Sequence, residues 1–408
     1  MEASRDFVYQ KFCEYYRDPS TVIPAPVLLG QREFAYLLFK ERFMVRHKRF
    51  EGISNLRSVL AETVPSDVYH SCAYYENPDF DMDKKGWLGA DLVFDIDADH
   101  IPTSCNKIHD EFTCAKCGFS GRGITPETCP ACEGTKFETK TWPCEQCIDS
   151  ARAEAAKLID MLDNDFGFSL DELHVFFSGH RGYHVHVEDK AVRSLDAMAR
   201  KEIVDYVTGL GLRLFEKERV NAKTKKANEK FRLHNFGWYR RLKLGMKNII
   251  ANGTEEDFKR IGVKDTGLLL EKRQAIIDRC IDDGLWGGVF GIGDGTWMKL
   301  ALYVKNLQAA KIDTVVTTDV HRLIRMNGTL HGKTGLKKTE FPAKNLQDFD
   351  PFTGAVAFKK GEVKVLVSDV PEFRLGGETL GPYKNETKEL PVAAAVMLIC
   401  KGRAKVAN

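Results

Sequence analysis

In "DLVFDIDADH", residues 91–100, Leu92, Phe94 and Ile96 alternate with other residues. A period of two predicts a strand with an apolar face toward the core. Asp95 and Asp97 then share the opposite face, roughly 7 Å apart along the backbone. Further on, Ala151, Ala155, Leu158 and Leu162 repeat at four-three-four spacing, which predicts a helix. "DFGFS" ends it, with Gly167 as the C-terminal cap. "LHVFF" reads as a strand, "SGHRG" (178–182) as a turn and "YHVHV" as a returning strand. Residues 193–216 and parts of 254–283 are helical in pattern, with Gly-rich breaks at 284–295. "KIDTVVT" (311–317) predicts a β-branched strand carrying Asp313, and "RLIRMNGTLHGKTG" (322–335) a short strand entering a Gly-rich loop. Residues 5–16 and 31–50 hold aromatic and apolar residues at mixed spacing.

Between Ile101 and Cys147 apolar periodicity lapses into Cys, Gly, Pro and Thr. Such a stretch cannot pack a core alone, so an insertion held by metal is expected. The fold class is α/β (α+β), a mixed β-sheet core with helices. Its core parts fall at 1–103, 149–190 and 301–408 (the last with a C-terminal tail). A zinc-binding insertion occupies 104–148 and a mainly helical insertion 191–300.

The 408 residues, 43% apolar, allow a large core in two or three structural units. Lys and Arg number 60 against 58 Asp and Glu, so global charge says nothing about nucleic acid. "MEASRDFVYQ" lacks an apolar signal core, and "VAAAVMLIC" is too short to span a bilayer. A soluble intracellular, cytoplasmic protein with no membrane partner is expected.

Eleven cysteines include three CxxC pairs between Cys114 and Cys147, with Cys105 just upstream. Without a secretion signal these read as metal sites rather than disulfides. "CAKC" (114–117) and "CPAC" (129–132) supply four thiolates, Cys114, Cys117, Cys129 and Cys132, for one tetrahedral zinc. "CEQC" (144–147) needs two more ligands, and Cys105 and His109 are nearest. Filled by protein donors, either site is structural. One zinc with spare cysteines is the competing outcome. Cys13, Cys72, Cys280 and Cys400 read as small buried hydrophobes.

Carboxylates at i and i+2 of a strand suit two divalent cations bridging an attacking oxygen and a phosphate. Alone, "DID" is equally a surface strand. Other stretches add weight. In "SGHRGYHVHV" Ser178, His180 and Arg181 fall in a tight Gly-flanked turn, followed by His184 and His186 on one strand face. Downstream lie Asp313, Arg325, His331 and Lys333. "HGKTG" lacks the spacing of a phosphate loop. Three carboxylates with spread Arg, Lys and His are what a nucleoside triphosphate with metal ions requires.

Taken together, "REF" (Arg32 to Phe34), "VFDID", the Cys insert, "DFGF", "SGHRGYH" and the closing "D…R…LHGKTG" resemble, in order and spacing, the catalytic small subunit of archaeal and eukaryotic DNA primase. The resemblance covers most of the chain. It implies a nucleotidyltransferase that synthesises primers de novo on single-stranded DNA from ribo- or deoxyribonucleoside triphosphates. Asp95, Asp97 and Asp313 match the family's catalytic aspartates, holding two Mg²⁺ or Mn²⁺ ions. Ser178, Arg181 and His184 match its phosphate-binding turn, and Arg325, His331 and Lys333 its triphosphate contacts. His180 stands in that turn where Arg often sits, and His186 where Trp is common. The family's single zinc corresponds to Cys105, His109, Cys144 and Cys147, making the other cysteine quartet an addition. A heterodimer with an iron–sulfur large subunit is implied as well. Two rivals stay open: a primer-extending repair or translesion polymerase of the same superfamily, and a non-catalytic zinc-dependent nucleic-acid-binding subunit. His70, His186 and His234 read as structural.

Between Lys223 and Lys247 nine Lys or Arg face one Glu, with Phe231, Phe236, Trp238 and Tyr239 interleaved. Basic and aromatic side chains together suit a single-stranded template, with Lys225, Lys226, Arg240 and Arg241 as contacts. A solvated loop joined to an apolar anchor explains the stretch equally.

Overall fold

The computed structural model describes residues 2–212, 214, 236–264, 266–282 and 291–407. They form two compact units: one of Met1–Ile159, Ser169–Lys201 and Lys311–Asn408, the other of Asp160–Phe168 and Glu202–Ala310. The sequence-based expectations for Lys225, Lys226, Phe231 and His234 concern positions outside the described residues.

In the first unit eight strands matter for the site. In chain order they are β1 (Phe34–Leu38), β2 (Met44–Lys48), β3 (Pro65–Ser71), β4 (Leu92–Asp97), β5 (Leu173–Phe177), β6 (Gly182–Val187), β7 (Leu323–Arg325) and β8 (Thr339–Pro342). They make two four-stranded sheets, β7-β3-β1-β2 and β8-β5-β6-β4. Among the described residues every pairing in both is antiparallel. The predicted alternation in β4 holds, for Leu92, Phe94 and Ile96 are buried. β5 and β6 are the expected hairpin, joined through Ser178–Arg181.

Helices α1 (Glu2–Arg17), α2 (Ile53–Thr63) and α3 (Glu145–Asn164) precede α4 (Gly237–Asn252), α5 (Asp294–Gln308), α6 (Thr314–Thr318) and α7 (Val392–Cys400). α3 is the helix its spacing predicts, and Gly167 follows at φ +80° with its N–H donating to Asp163 O. The core of the first unit joins both chain ends: Val8 and Phe12 of α1 and Leu56 and Leu60 of α2 cluster with Phe34, Val68, Val392 and Val396.

One predicted strand is a helix. Residues 314–318 form α6, with Asp313 as its N-cap accepting from Val315 N (2.9 Å) and Val316 N (3.4 Å). A capping carboxylate satisfies N–H groups that a β-branched run alone leaves open, and this local bond outweighs strand propensity.

The second unit is mainly helical among its described residues. Trp238, Met246 and Ile250 of α4 are buried, as are Leu300 and Val304 of α5. At Gly245 an added Cβ would stand 2.4 Å from Val304 Cγ1, so glycine lets the two helices approach.

Candidate active site and metal centres

The register of β6 against β4 sets His184 opposite Asp95 and Gly182 opposite Asp97. His184 Nε2 lies 3.5 Å from Asp95 Oδ1, while its buried Nδ1 has no partner among the described residues. At Gly182 a Cβ would stand 2.3 Å from Ile96 O, so only glycine permits this pairing. Asp313 reaches the same place from the far end of the unit: its main-chain N–H donates to Asp95 O at 2.8 Å. Asp97 Oδ1 accepts from Asp99 N at 2.9 Å, which fixes the end of the strand.

Three half-buried acids repel one another here. Burial, then Asp97 and Asp313, push the Asp95 carboxyl up to about 7 despite Arg322 and Lys338 nearby. Burial, then Asp99, raise Asp97 to about 6 against the pull of Arg181. Oxygen donors that repel in this way fit hard divalent cations. Donor atoms of Asp97, Asp99 and His180 also lie within 4.8 Å of one another.

Positive and neutral groups surround the acids. Ser178 Oγ accepts from His180 N at 3.3 Å inside the turn, and Thr334 Oγ1 donates to Gly179 O at 2.5 Å. Gly179 has φ +87°, and a Cβ there would come within 3.1 Å of His331 Cβ. The His180 and His331 rings lie 5.2 Å apart. Burial holds His180, His184, His186 and His331 well below the ordinary histidine range, so their imidazoles are neutral at pH 7. Lys333 is exposed, and its N–H donates to His331 Nδ1 at 3.1 Å.

Two arginines are placed differently from expectation. Arg181 is fully buried: it pairs with Asp99 and gives Asp110 two bonds of 2.8 and 3.0 Å. With both ends of its guanidinium committed to carboxylates, it braces the site rather than waiting for a phosphate. Arg325 donates to Asp67 Oδ1 at 2.6 Å and lies over the Tyr69 ring. Burial alone would raise the Asp67 carboxyl, but Arg325 and the Gly332 N–H hold it well below the usual range.

The cysteines gather as two quartets, each with its donor atoms within 4.8 Å of one another. In the first, Cys105 Sγ lies 3.5 Å from Cys147 Sγ and His109 Nε2 lies 3.2 Å from Cys144 Sγ. In the second, Cys114 and Cys132, and Cys117 and Cys129, stand 3.6 Å apart. These spacings are close to the edges of a tetrahedron of thiolates about zinc. Short antiparallel strands, Glu111–Cys114, Ser120–Arg122 and Phe137–Lys140, frame the second quartet. Asp110 Oδ1 lies 2.8 Å from His109 Nδ1, the orienting carboxylate that a metal-ligating histidine usually has. Since Asp110 also holds Arg181, a chain of contacts runs from Asp99 to the first quartet.

A family model described as DNA primase small subunit matches residues 134–342. The DNA primase small subunit PriS of Nitrosopumilus maritimus is 32% identical over 100% of both chains. That of Cenarchaeum symbiosum is 33% identical over 98% of this chain and 97% of its own. The PriS of Archaeoglobus fulgidus is 32% identical over 98% and 97%.

The chain belongs to the DNA primase small-subunit family.

Several groups in this primase small-subunit site carry no sequence signal. Lys338 is fully buried; its Nζ donates to Arg325 O at 2.8 Å and lies over the Phe176 ring. Burial and Arg325 push its ammonium down to about 7. Lys401, just past α7, donates to His180 Nε2 at 2.6 Å, and burial followed by Arg181 and Lys333 lowers it to about 7. Asp67, Asp99 and Asp110 are missed as well, since nothing in the sequence pairs each with its distant arginine.

The template expectation fares unevenly. Arg241 is buried, donating to Asp165 Oδ2 at 2.7 Å and Asp160 Oδ2 at 2.5 Å, so it braces α4 rather than facing a strand of DNA. Arg240 is half-buried on the same helix. No described helix is long and apolar enough to cross a membrane.

Proposed function

We propose that the chain is the catalytic subunit of a DNA primase, joining nucleoside triphosphates on single-stranded DNA from the first phosphodiester onward. The observation that supports this is Asp313 meeting Asp95, the strand neighbour of Asp97: its N–H bonds Asp95 O and its charge acts on the Asp95 carboxyl. A binding module gains nothing from three half-buried, repelling acids. Asp95, Asp97 and Asp313 would hold two Mg²⁺ or Mn²⁺ ions. When bound, such ions lower the pKa of a 3′-hydroxyl and stabilise the pyrophosphate leaving group. Ser178, His180 and His184 line the turn that receives the triphosphate, with His331 and Lys333 across from it. Arg325 reaches this loop through its hydrogen bond to Leu330 O and stays tied to Asp67. Arg181 positions Asp99 and the turn.

The test is synthesis on oligo-dT with nucleotides alone, ribo- and deoxyribonucleotides separately, with and without an iron–sulfur large subunit. Primer-free, metal-dependent product is expected. Extension of supplied primers only supports a repair-type polymerase, and no incorporation at all supports a binding subunit.

Both cysteine quartets are proposed as structural zinc sites, the second an addition to the family's one. Metal analysis of purified protein is expected to give about two Zn²⁺ per chain. A ratio near one removes the second site.

A further inference from the structure

We infer that Lys401 is a phosphate ligand of the nucleotide site, delivered from the C-terminal helix to the Ser178–Gly182 turn. The inference rests on the triphosphate reading of that turn and adds to it a residue more than two hundred positions away.

Four observations support it. First, Lys401 is anchored: Nζ lies 2.6 Å from His180 Nε2, and Thr141 Oγ1 lies 3.2 Å from the same nitrogen. A neutral imidazole offers that nitrogen as acceptor, so His180 aims the ammonium without competing for its charge. Second, the charge lacks a counter-ion. Among the described residues no carboxylate comes within ion-pair distance of Lys401 Nζ; Arg181 and Lys333 act on it most, and Asp99, already paired with Arg181, opposes them more weakly. Third, the cations already present are otherwise engaged: Arg181 is committed to Asp99 and Asp110, and Arg325 to Asp67. Among the described residues Lys401 and the exposed Lys333 lie beside the turn without a carboxylate partner, and an ammonium with three donors can serve His180 and a phosphate oxygen together. Fourth, Lys401 caps the carboxyl end of α7, where its N–H bonds to Met397 O and the helix dipole favours a cation. The helix therefore holds the charge in place before any ligand arrives. Lys401 as a residue is half-buried.

A charge-assisted bond to phosphate predicts a loss of roughly tenfold to a hundredfold in affinity on removing the ammonium. Lys401→Met keeps the aliphatic stem and deletes the charge. In template-directed synthesis it should raise KM for the nucleotide by about that factor while kcat changes less. Binding of inorganic tripolyphosphate, followed by titration calorimetry, should weaken in parallel, with thermal melting unchanged. Lys401→Arg, which restores a cation, should recover most of both. Unchanged KM and tripolyphosphate affinity in Lys401→Met overturns the inference. So does a well-folded Lys401→Arg as impaired as Lys401→Met, because packing rather than charge is then the cause. If the unsubstituted protein neither binds tripolyphosphate nor incorporates nucleotide, the reading of the turn itself falls, and Lys401 falls with it.

Discussion

Nucleotide incorporation by an Asp95→Asn protein falls by roughly three orders of magnitude or more, about 4 kcal/mol of transition-state stabilisation. Asp95 is the acid that the other two meet: Asp97 shares its strand face, and Asp313 is bonded to its carbonyl. Asparagine keeps the shape and removes the charge that grips a cation. The protein should not unfold. In chelator at neutral pH its melting temperature should match or exceed the parent's, because one of three mutually repelling groups is gone. Incorporation assays and thermal melting, run side by side, separate the two effects. Retention of more than a tenth of the activity would sink the metal-holding role. A large fall in melting temperature would recast the acids as structural.

Asp110→Ala destabilises the protein by about 3–5 kcal/mol, the usual cost of orphaning one partner of a buried ion pair. Asp110 receives Arg181, the Asn106 amide and the Trp142 N–H, and it abuts His109 Nδ1. Its loss leaves Arg181 with Asp99 alone and His109 without an orienting acceptor. Zinc affinity of the first quartet should drop roughly tenfold to a hundredfold. Incorporation should fall too, since Asp99 adjoins Asp97, one of the acids proposed to hold the metal ions. Denaturant titration, zinc loss to a competing chelator and incorporation give three readouts. Stability within about 1 kcal/mol of the parent, with zinc held as tightly, would disprove the linkage.

Much of this was legible because the signals are local. The period of two at 92–97 reports a strand and its buried face, and Cys-x-x-Cys spacing reports which thiols share a site. Glycine between Ser178 and Gly182 reports a tight turn. The failures share a different cause. The five β-branched residues after Asp313 predict a strand, whereas the cap is written in a single carboxylate. Arg181 reads as a free cation until Asp99 and Asp110 are seen beside it. Lys338 and Lys401 have no neighbours in sequence that mark them. Their roles come from long-range packing, which one-dimensional periodicity does not encode.

The joining of α1 to α7 in one core has a consequence for biosynthesis. Val8 and Phe12 leave the ribosome long before Val392 and Val396, which pack with them. Until α7 is made the nascent chain presents an open greasy seam, so a premature stop before α7 should send the product to chaperones or proteases rather than yield a shortened enzyme.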